Sequence, residues 1–199
     1  MILKEIVGLM DVAAEAMNKR YDEIRICELG NQRMKWNSYG TGKKFLLAKG
    51  VPEHVSIDLN GKNGALRLNL AKPIEKWKNY FDIVTNYGTT EHVESQYDVF
   101  NNIHNFTKIG GSMVHAVPVM GGWKNHCGVH YETSFFEEMA KKLQYDVIHS
   151  GIIIVSGRRR SQPKIDRSLV CSVLVKRNDM EFFKKEDFDL LGGIHIDKK

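Results

Sequence analysis

The chain has 199 residues, of which 42% are hydrophobic and 27% are charged. These values are ordinary for a soluble globular protein, and the length suits a single domain over residues 1–199. No apolar run approaches the roughly 18 residues of a membrane span, and the N-terminal stretch lacks the pattern of a secretory signal. A net charge of +5 permits an anionic partner without requiring one.

The cysteines point to a reducing environment. Cys27, Cys127 and Cys171 are odd in number and far apart in the sequence. Such a set indicates free thiols rather than a disulfide framework, so the sequence predicts a cytoplasmic protein. Nothing in the composition indicates an oligomeric state.

The first half of the chain alternates between helical and strand patterns. Apolar residues at helical spacing predict an amphipathic helix over Leu3–Met17, and a second helix is expected within Lys43–Lys49. Short apolar or alternating runs predict four strands. In chain order these are Ile24–Leu29, His54–Leu59, Ala65–Leu70 and Phe81–Asn86.

The second half continues this alternation. A helix is predicted from Val93 to about Lys108, where Gly110 and Gly111 would stop it. A strand over Ser112–Val117 is followed by a long irregular stretch and by a helix with Ser134 and Glu137 at capping-box spacing. Two last strands, Gly151–Val155 and Ser168–Val175, read as an antiparallel pair, and residues 178–199 have no clear assignment.

This order of elements predicts an α/β fold whose mostly parallel sheet is covered on both faces. Open sheets of this kind bind ligands at the carboxyl ends of their strands, near the point where the strand order reverses. Polar residues and glycine occur at these predicted ends: Glu28, Gly30, Asn31, Asp58, Asn69 and Asn86.

Two of these residues favour a ligand that contains a nucleoside. A carboxylate at the end of the second strand, Asp58, can accept hydrogen bonds from both hydroxyls of a ribose. Gly30 after the first strand lets the backbone approach a ligand closely. The segment after Glu28 has one glycine where a dinucleotide fingerprint needs three, and no P-loop is present, so a nucleoside without phosphates fits better.

Several segments, taken together and in this order, resemble class I S-adenosylmethionine-dependent methyltransferases, and small-molecule enzymes of the type 11 sort in particular. They are "ELGNQ", "VSIDLNG", "GALRLNL", "FDIVTNYGTTEHV" and "IHNFTKIGGSMVHAVP". The resemblance runs from about Tyr21 to Val155. It implies a Rossmann-like three-layer sandwich with a seven-stranded sheet, mostly parallel, whose last strand is antiparallel.

The resemblance also implies a role for each matching residue. The methionine part of S-adenosylmethionine would face Glu28, Gly30 and Asn31. The ribose hydroxyls would bind Asp58. The adenine would contact Leu59, Asn69 and Leu70, and the side where the methyl group is transferred would be lined by Asn86 and Tyr87.

The activity implied is methyl transfer to a small-molecule or glycan-type acceptor by in-line displacement at the sulfonium methyl. The protein would mainly orient the reactants and exclude water. A general base is needed only for a hydroxyl acceptor, and the candidates are His92, His126 and His130. Thr89, Thr90 and Glu91 are compatible with the start of a helix, and Glu91 together with His92 is also a candidate to line the site.

Other readings stay open at this point. His126, Cys127, His130 and Glu132 are potential metal ligands, but their spacing matches no zinc pattern, so no metal is predicted. The basic run Arg158–Lys164 suits either nucleic acid or a solvated hairpin loop, and it has no interleaved aromatic residues for base stacking. The alternatives to a small-molecule enzyme are therefore an RNA or DNA methyltransferase, a non-catalytic binding module with the methyltransferase fold, and an enzyme that cleaves S-adenosylmethionine.

Overall fold

The computed structural model describes residues 1–123, 125–155 and 167–196. The basic run Arg158–Lys164 lies outside these ranges. The helices and strands follow in chain order as α1 (Leu9–Ala16), β1 (Arg25–Leu29), β2 (Arg33–Met34), β3 (Gly40–Thr41), α2 (Gly42–Ala48), β4 (Glu53–Ile57), β5 (Phe81–Tyr87), α3 (Gln96–Phe106), β6 (Thr107–Pro118), β7 (Val129–Tyr131), α4 (Thr133–Leu143), β8 (Asp146–Ile154), β9 (Ser168–Val175), α5 (Lys185–Asp189) and β10 (Ile194–Ile196).

The main sheet has six strands in the order β4-β1-β5-β6-β9-β8. The strands β4, β1, β5 and β6 are parallel, whereas β9 is antiparallel to both of its neighbours. Two small antiparallel pairs, β2 with β3 and β7 with β10, lie outside this sheet. The predicted α/β fold with a mostly parallel sheet and an antiparallel last strand is confirmed.

The strand count is the exception, because the predicted third strand does not form. Of the segment Ala65–Leu70, only Leu66 pairs with the sheet, through an isolated bridge to Ile57. The backbone turns on both sides of this bridge: Gly64 has a φ of +75°, and the Asn69 side chain accepts a hydrogen bond from the Ala71 amide at 3.0 Å. The sheet among the described residues therefore has six strands instead of seven.

Helices cover both faces of the sheet, as expected for a three-layer sandwich. One apolar cluster joins α1 and α2 to the sheet, with Met10, Ala13 and Leu46 fully buried. A second cluster packs α3, α4 and α5 on the opposite face through aromatic side chains such as Phe100 and Phe135. Strand β5 is buried along its whole length, which explains its nearly continuous apolar sequence.

The glycines expected to end a helix instead belong to a strand. Helix α3 ends at Phe106, and β6 begins at Thr107 and includes Gly110 and Gly111. A Cβ atom added to Gly111 would lie 2.9 Å from the carbonyl oxygen of Asp82 on the neighbouring strand. This glycine is thus required by the close approach of two strands.

The remaining segments also have regular elements. The irregular stretch after β6 contains β7, and the unassigned tail contains α5 and β10. Within the described ranges, no helix combines the length and the apolar character that crossing a bilayer requires.

Candidate functional site

A cavity of about 540 Å³ opens at the carboxyl ends of β1, β4 and β5. These three strands are adjacent and parallel, so the loops that follow them meet at one edge of the sheet. The wall is formed by Met1, Gly30, Asn31, Gln32, Ile57, Asp58, Leu59, Leu68, Asn69, Leu70, Ala71, Gly88, Thr89, His92, Val93 and Glu94. We call it the first cavity.

The carboxylate of Asp58 fixes the two loops that meet over the first cavity. Its Oδ2 accepts a hydrogen bond from the Asn31 amide at 2.8 Å, and its Oδ1 accepts one from the Asn60 amide at 2.9 Å. The Asn31 side chain in turn accepts a hydrogen bond from Asn63 at 3.1 Å. Each carboxylate oxygen has a second lone pair, so Asp58 keeps acceptor capacity for a ligand in the cavity.

Gly30 is required by both its backbone angle and its surroundings. Its φ is +78°, and an added Cβ would lie 2.6 Å from the Gln32 amide nitrogen and 2.7 Å from the Thr89 hydroxyl. These two groups hydrogen-bond each other at 3.0 Å, and both also donate to the carbonyl of Leu29 at 2.8 Å. They tie the loop after β1 to the loop after β5.

The apolar part of the same wall comes from the segments after β4. Leu59 is 61% exposed, while Leu70 is buried. An exposed leucine on a cavity wall next to a partly buried carboxylate suits a flat ligand with one polar and one apolar edge. The Asn69 side chain closes a turn by accepting a hydrogen bond from the Ala71 amide, and this turn forms part of the cavity wall.

A second cavity of about 230 Å³ adjoins the first, and the two share Met1, Gly88 and His92. We call it the second cavity. Its other wall residues are Leu3, Ile6, Tyr87, Glu91, Ala116, Pro118, Trp123, His126 and Leu169. The shared residues show that the two cavities lie side by side.

One side of the second cavity brings together a carboxylate and two imidazoles. Glu91 and His92 belong to a short helical turn after β5, and His126 comes from the loop after β6. Their potential ligand atoms all lie within 4.8 Å of one another. The His92 and His126 rings are 5.2 Å apart between centroids, and Trp123 packs on His126 at 5.3 Å.

Burial controls the charge states in this group. It raises the pKa of Glu91 to about 7. Burial, together with the neighbouring His126, lowers the pKa of His92, and burial also lowers the pKa of His126. Both imidazoles are therefore neutral at neutral pH.

A buried hydrogen-bond network fixes the turn that carries Glu91 and His92. The Thr90 hydroxyl is 2.9 Å from the Asn86 amide nitrogen and 3.0 Å from the Tyr131 hydroxyl. Asn86 also accepts a hydrogen bond from the Thr90 amide, and Gln96 donates to the Thr90 carbonyl at 2.8 Å. The turn is thus held from three separate elements.

Most of the residues predicted from the sequence line one of the two cavities. Gly30, Asn31, Asp58, Leu59, Asn69 and Leu70 are on the first wall. Tyr87 and His126 are on the second wall, and His92 is on both.

In the described part of the chain, Glu28, Asn86 and His130 lie off both walls. Glu28 is 1% exposed; its Oε1 accepts from the Gln32 amide at 3.1 Å, and its Oε2 is 3.6 Å from His54 Nε2. Asn86 is the buried anchor of the turn described above. His130 is buried on β7, with its Nε2 3.7 Å from the Cys127 sulfur. Their roles toward a ligand stay predictions.

Sequence reasoning missed several wall residues. Gln32 and Thr89 lie in the quoted segments "ELGNQ" and "FDIVTNYGTTEHV" but were given no role, although each comes three residues after a predicted strand end and this position is a usable signal. Trp123 lies in the irregular stretch, where no periodicity indicates which residues turn inward. The Glu91–His126 contact joins residues 35 positions apart and has no local sequence signal.

The sequence comparisons give no relative: no protein-family model and no curated protein matches the chain. Solved structures do match. The chain superposes on the 1,6-didemethyltoxoflavin-N1-methyltransferase of Burkholderia thailandensis with a TM-score of 0.60 and 10% identity, over 88% of this chain and 79% of that one. That structure holds 1,6-didemethyltoxoflavin and S-adenosylhomocysteine.

Two further structures give the same result. Geranyl diphosphate C-methyltransferase from Streptomyces coelicolor A3(2), in complex with Mg²⁺, geranyl diphosphate and S-adenosyl-L-homocysteine, matches with a TM-score of 0.58 and 12% identity, over 85% of this chain and 78% of that one. An S-adenosylmethionine-dependent methyltransferase from Mesorhizobium loti matches with a TM-score of 0.52 and 14% identity, over 84% and 96% of the two chains. The strand order and these superpositions agree, and the chain has the fold of the class I S-adenosylmethionine-dependent methyltransferases.

Proposed function

We propose that the protein is an S-adenosylmethionine-dependent methyltransferase that acts on a small-molecule or glycan-type acceptor. The cofactor would occupy the first cavity and the acceptor the second. The observation that carries this proposal is the pairing of Asp58 and Gly30 at the ends of two adjacent parallel strands, on the wall of one cavity.

The residues present fit the cofactor. Asp58 has spare acceptor capacity for two adjacent ribose hydroxyls, and Leu59 offers an exposed apolar surface beside it for the adenine ring. The volume of about 540 Å³ lies within the range of ordinary small-molecule sites. Gly30 has no side chain, so a ligand can approach its backbone on the cavity wall.

The protein's part in the reaction would be positioning and the exclusion of water. S-adenosylmethionine, when bound, supplies a methyl group on a positively charged sulfur that is already activated toward attack. Asp58 and Leu59 would hold the nucleoside end, and Gly88 and His92, shared by the two cavities, would lie where the methyl group crosses. Holding two reactants in line removes much of the entropic barrier to their reaction.

The second cavity supports a small acceptor group. Its volume of about 230 Å³ is less than half that of the first cavity, and its walls include Tyr87, Trp123 and Leu169. These apolar and aromatic side chains would exclude water around a ring-sized group. His92 and His126 line this cavity and would be the groups to take a proton from an acceptor hydroxyl, whereas His130 lies on neither wall.

The first test is calorimetric titration of the purified protein with S-adenosylmethionine and S-adenosylhomocysteine. We expect binding in the micromolar range, and we expect Asp58→Ala to weaken it by more than tenfold, or about 1.4 kcal/mol. The matched control is Asp187→Ala, which removes an exposed aspartate on the distant helix α5 and should leave binding unchanged.

Each result separates the candidate functions. An absence of binding to the intact protein would contradict the proposal and favour a binding module that keeps only the fold. Binding followed by loss of S-adenosylmethionine without any acceptor, measured by chromatography, would instead indicate a cofactor-cleaving enzyme. Binding of RNA or DNA that falls steeply with salt would favour a nucleic-acid acceptor.

A further inference from the structure

We infer that Glu91, His92 and His126 form a binding site for a divalent first-row transition-metal ion such as Zn²⁺, on the wall of the second cavity. The binding of the ion does not depend on the proposed function. Its use does, because we assign to the ion the task of binding a hydroxyl oxygen of the methyl acceptor.

The first observation is the convergence of three suitable groups. One ligand atom from each residue lies within 4.8 Å of the others, and His92 Nε2 is 3.8 Å from Glu91 Oε1. Two imidazoles and one carboxylate make up the protein ligands of a well-known class of catalytic zinc site, which leaves further coordination positions open. Sequence spacing gave no sign of this set, because His126 comes from a different loop.

The second observation is a buried carboxylate oxygen without a partner. Glu91 is 3% exposed, and its Oε2 has no hydrogen-bond partner among the described residues. An ionised carboxylate in such a position is costly unless it is paired or coordinates a metal. A cation beside it would remove this cost, and each of the two imidazoles has a ring nitrogen that can serve as a ligand.

The geometry needs only a small adjustment to close around an ion. Bonds from zinc to nitrogen or oxygen are about 2.0–2.2 Å long, so tetrahedral ligand atoms lie roughly 3.4 Å apart. Since no separation exceeds 4.8 Å, the atoms must move together by at most about 1.4 Å. His126 is exposed and lies on a turn, so a change in its side-chain torsions can supply this movement.

The residues around Glu91 leave space for its carboxylate and indicate which further ligand the ion would bind. Gly88 has a φ of +69°, and a Cβ there would come within 3.1 Å of Glu91 Oε1. All three ligands line the second cavity, so the open positions of the ion face the acceptor. With the ion bound, His92 and His126 would be ligands and not bases, so a bound hydroxyl would lose its proton to solvent. Its oxygen would then form the new O–C bond with the methyl carbon as the S–C bond breaks, with the bonding pair left on sulfur.

The test uses Co²⁺ as a spectroscopic probe and Zn²⁺ as a competitor, with the purified 199-residue chain. We expect Co²⁺ to give visible absorption bands of a four- or five-coordinate site, and we expect Zn²⁺ to abolish them. His126→Ala should weaken Zn²⁺ binding by at least tenfold in calorimetry. His149→Ala, on the outer strand β8, is the matched control and should leave it unchanged.

Two more variants keep the result interpretable. Glu91→Gln preserves the shape of the buried side chain and should also weaken Zn²⁺ binding at least tenfold. Cys127→Ser tests the neighbouring sulfur, which lies 3.7 Å from His130. If Cys127→Ser abolishes the Co²⁺ bands while His126→Ala leaves them intact, the proposed ligand set is wrong.

The open coordination positions of the metal ion are tested with acetohydroxamate, which offers two oxygen ligands. A shift of the Co²⁺ bands on its addition would support them, and an unchanged spectrum would overturn that part of the proposal. S-adenosylhomocysteine titrations with and without EDTA separate the two hypotheses. Cofactor binding without any metal binding would refute the cation site alone, and metal binding without cofactor binding would refute the methyltransferase alone.

Discussion

Strand β5 has a buried carboxylate near each end, and the two are in opposite circumstances. Asp82, at the start of the strand, is 2% exposed and is contacted by Lys19 at 2.7 Å and Lys108 at 2.9 Å. Glu91, just after the end of the strand, is 3% exposed and has an oxygen without a hydrogen bond among the described residues. The two carboxylates are thus almost equally buried, but the charge of Asp82 is balanced by lysine side chains and that of Glu91 is not balanced to the same degree.

The pKa values of the two groups reflect this difference. Burial alone would raise the pKa of Asp82, but hydrogen bonds from Lys19, the Arg25 amide and Lys108 hold it below its ordinary value. Burial raises the pKa of Glu91 to about 7, because a backbone hydrogen bond and the N-terminal ammonium of Met1 oppose it only in part. A compensated buried charge stabilises the fold, whereas an uncompensated one marks a place where a ligand can supply the missing charge.

The largest expected effect is on the free energy of unfolding, at the Asp82 end of β5. Asp82→Asn removes one charge that contacts several donors, and we expect the free energy of unfolding to fall by about 2 kcal/mol, as for other hydrogen bonds to charged groups. The lysine partners are 37% and 28% exposed, which keeps the loss from being larger. Urea unfolding at pH 7 measures the change.

Its control is Asp146→Asn, which breaks an exposed ion pair with Arg177. We expect this control to cost about 0.5 kcal/mol or less. The difference between Asp82→Asn and the unmodified protein should also shrink in acid. Since the folded-state pKa of Asp82 is depressed, its stabilisation is present above the ordinary pKa of 3.8 and is lost as pH falls through the folded value. Equal costs at pH 7 and pH 3 would contradict this account.

The next effect on stability is expected at Gly30, which follows β1 on the wall of the first cavity. Gly30→Ala combines an unfavourable positive φ with overlap of the Gln32 and Thr89 side chains, and we expect it to destabilise the protein by about 2 kcal/mol. Gly40→Ala, also at positive φ but with no atom within 4 Å of the added carbon, should cost about 1 kcal/mol. Thermal or urea unfolding of the pair isolates the contribution of the overlap.

A smaller effect is expected on ligand affinity at the same end. Leu59→Ala removes exposed apolar surface from the first cavity and should weaken S-adenosylhomocysteine binding about fivefold, close to 1 kcal/mol. Leu190→Ala, at a residue that is 78% exposed and lies on neither wall, should leave the calorimetric affinity unchanged. An equal loss in both variants would mean that Leu59 does not contact the ligand.

The smallest expected effect is the loss of stability in Glu91→Gln, and it compares the two ends of β5 most directly. Glu91→Gln replaces the uncompensated carboxylate with a neutral group of the same shape, and we expect the free energy of unfolding at pH 7 without added metal to fall by no more than about 0.5 kcal/mol. A loss as large as that of Asp82→Asn would show that Glu91 already has a structural counter-ion. Chemical denaturation of both variants in one buffer makes the comparison.

Much of the fold was predictable because its signals are local. The apolar run of β5 and the alternation of helices and strands indicate a mostly parallel sheet, and the predicted strand ends singled out Gly30 and Asp58, which lie on the wall of the first cavity. The predicted strand at Ala65–Leu70 was wrong because pairing with β4 also depends on the turns around it. The pattern of side chains carries no information about those turns.

The second cavity was less predictable for a related reason. His92 and His126 meet through the path of an irregular loop, and no period in the sequence specifies that path. The side chain of Glu28 is likewise placed by a residue distant in the sequence, Gly42 at the start of α2, where an added Cβ would lie 2.1 Å from Glu28 Oε2. Residues whose orientation depends on long loops can be named from the sequence, but their contacts cannot.

The position of β9 between β6 and β8 has a consequence for the synthesis of the protein. Strands β6 and β8 are made first, but they do not touch each other in the finished sheet and must wait for residues 168–175 to pair with both. Until then each leaves an unpaired edge, and β8 also presents apolar side chains such as Ile152 and Ile154. A nascent chain that stalls before β9 would therefore be prone to aggregation, which makes this late strand the step at which chaperones would matter most.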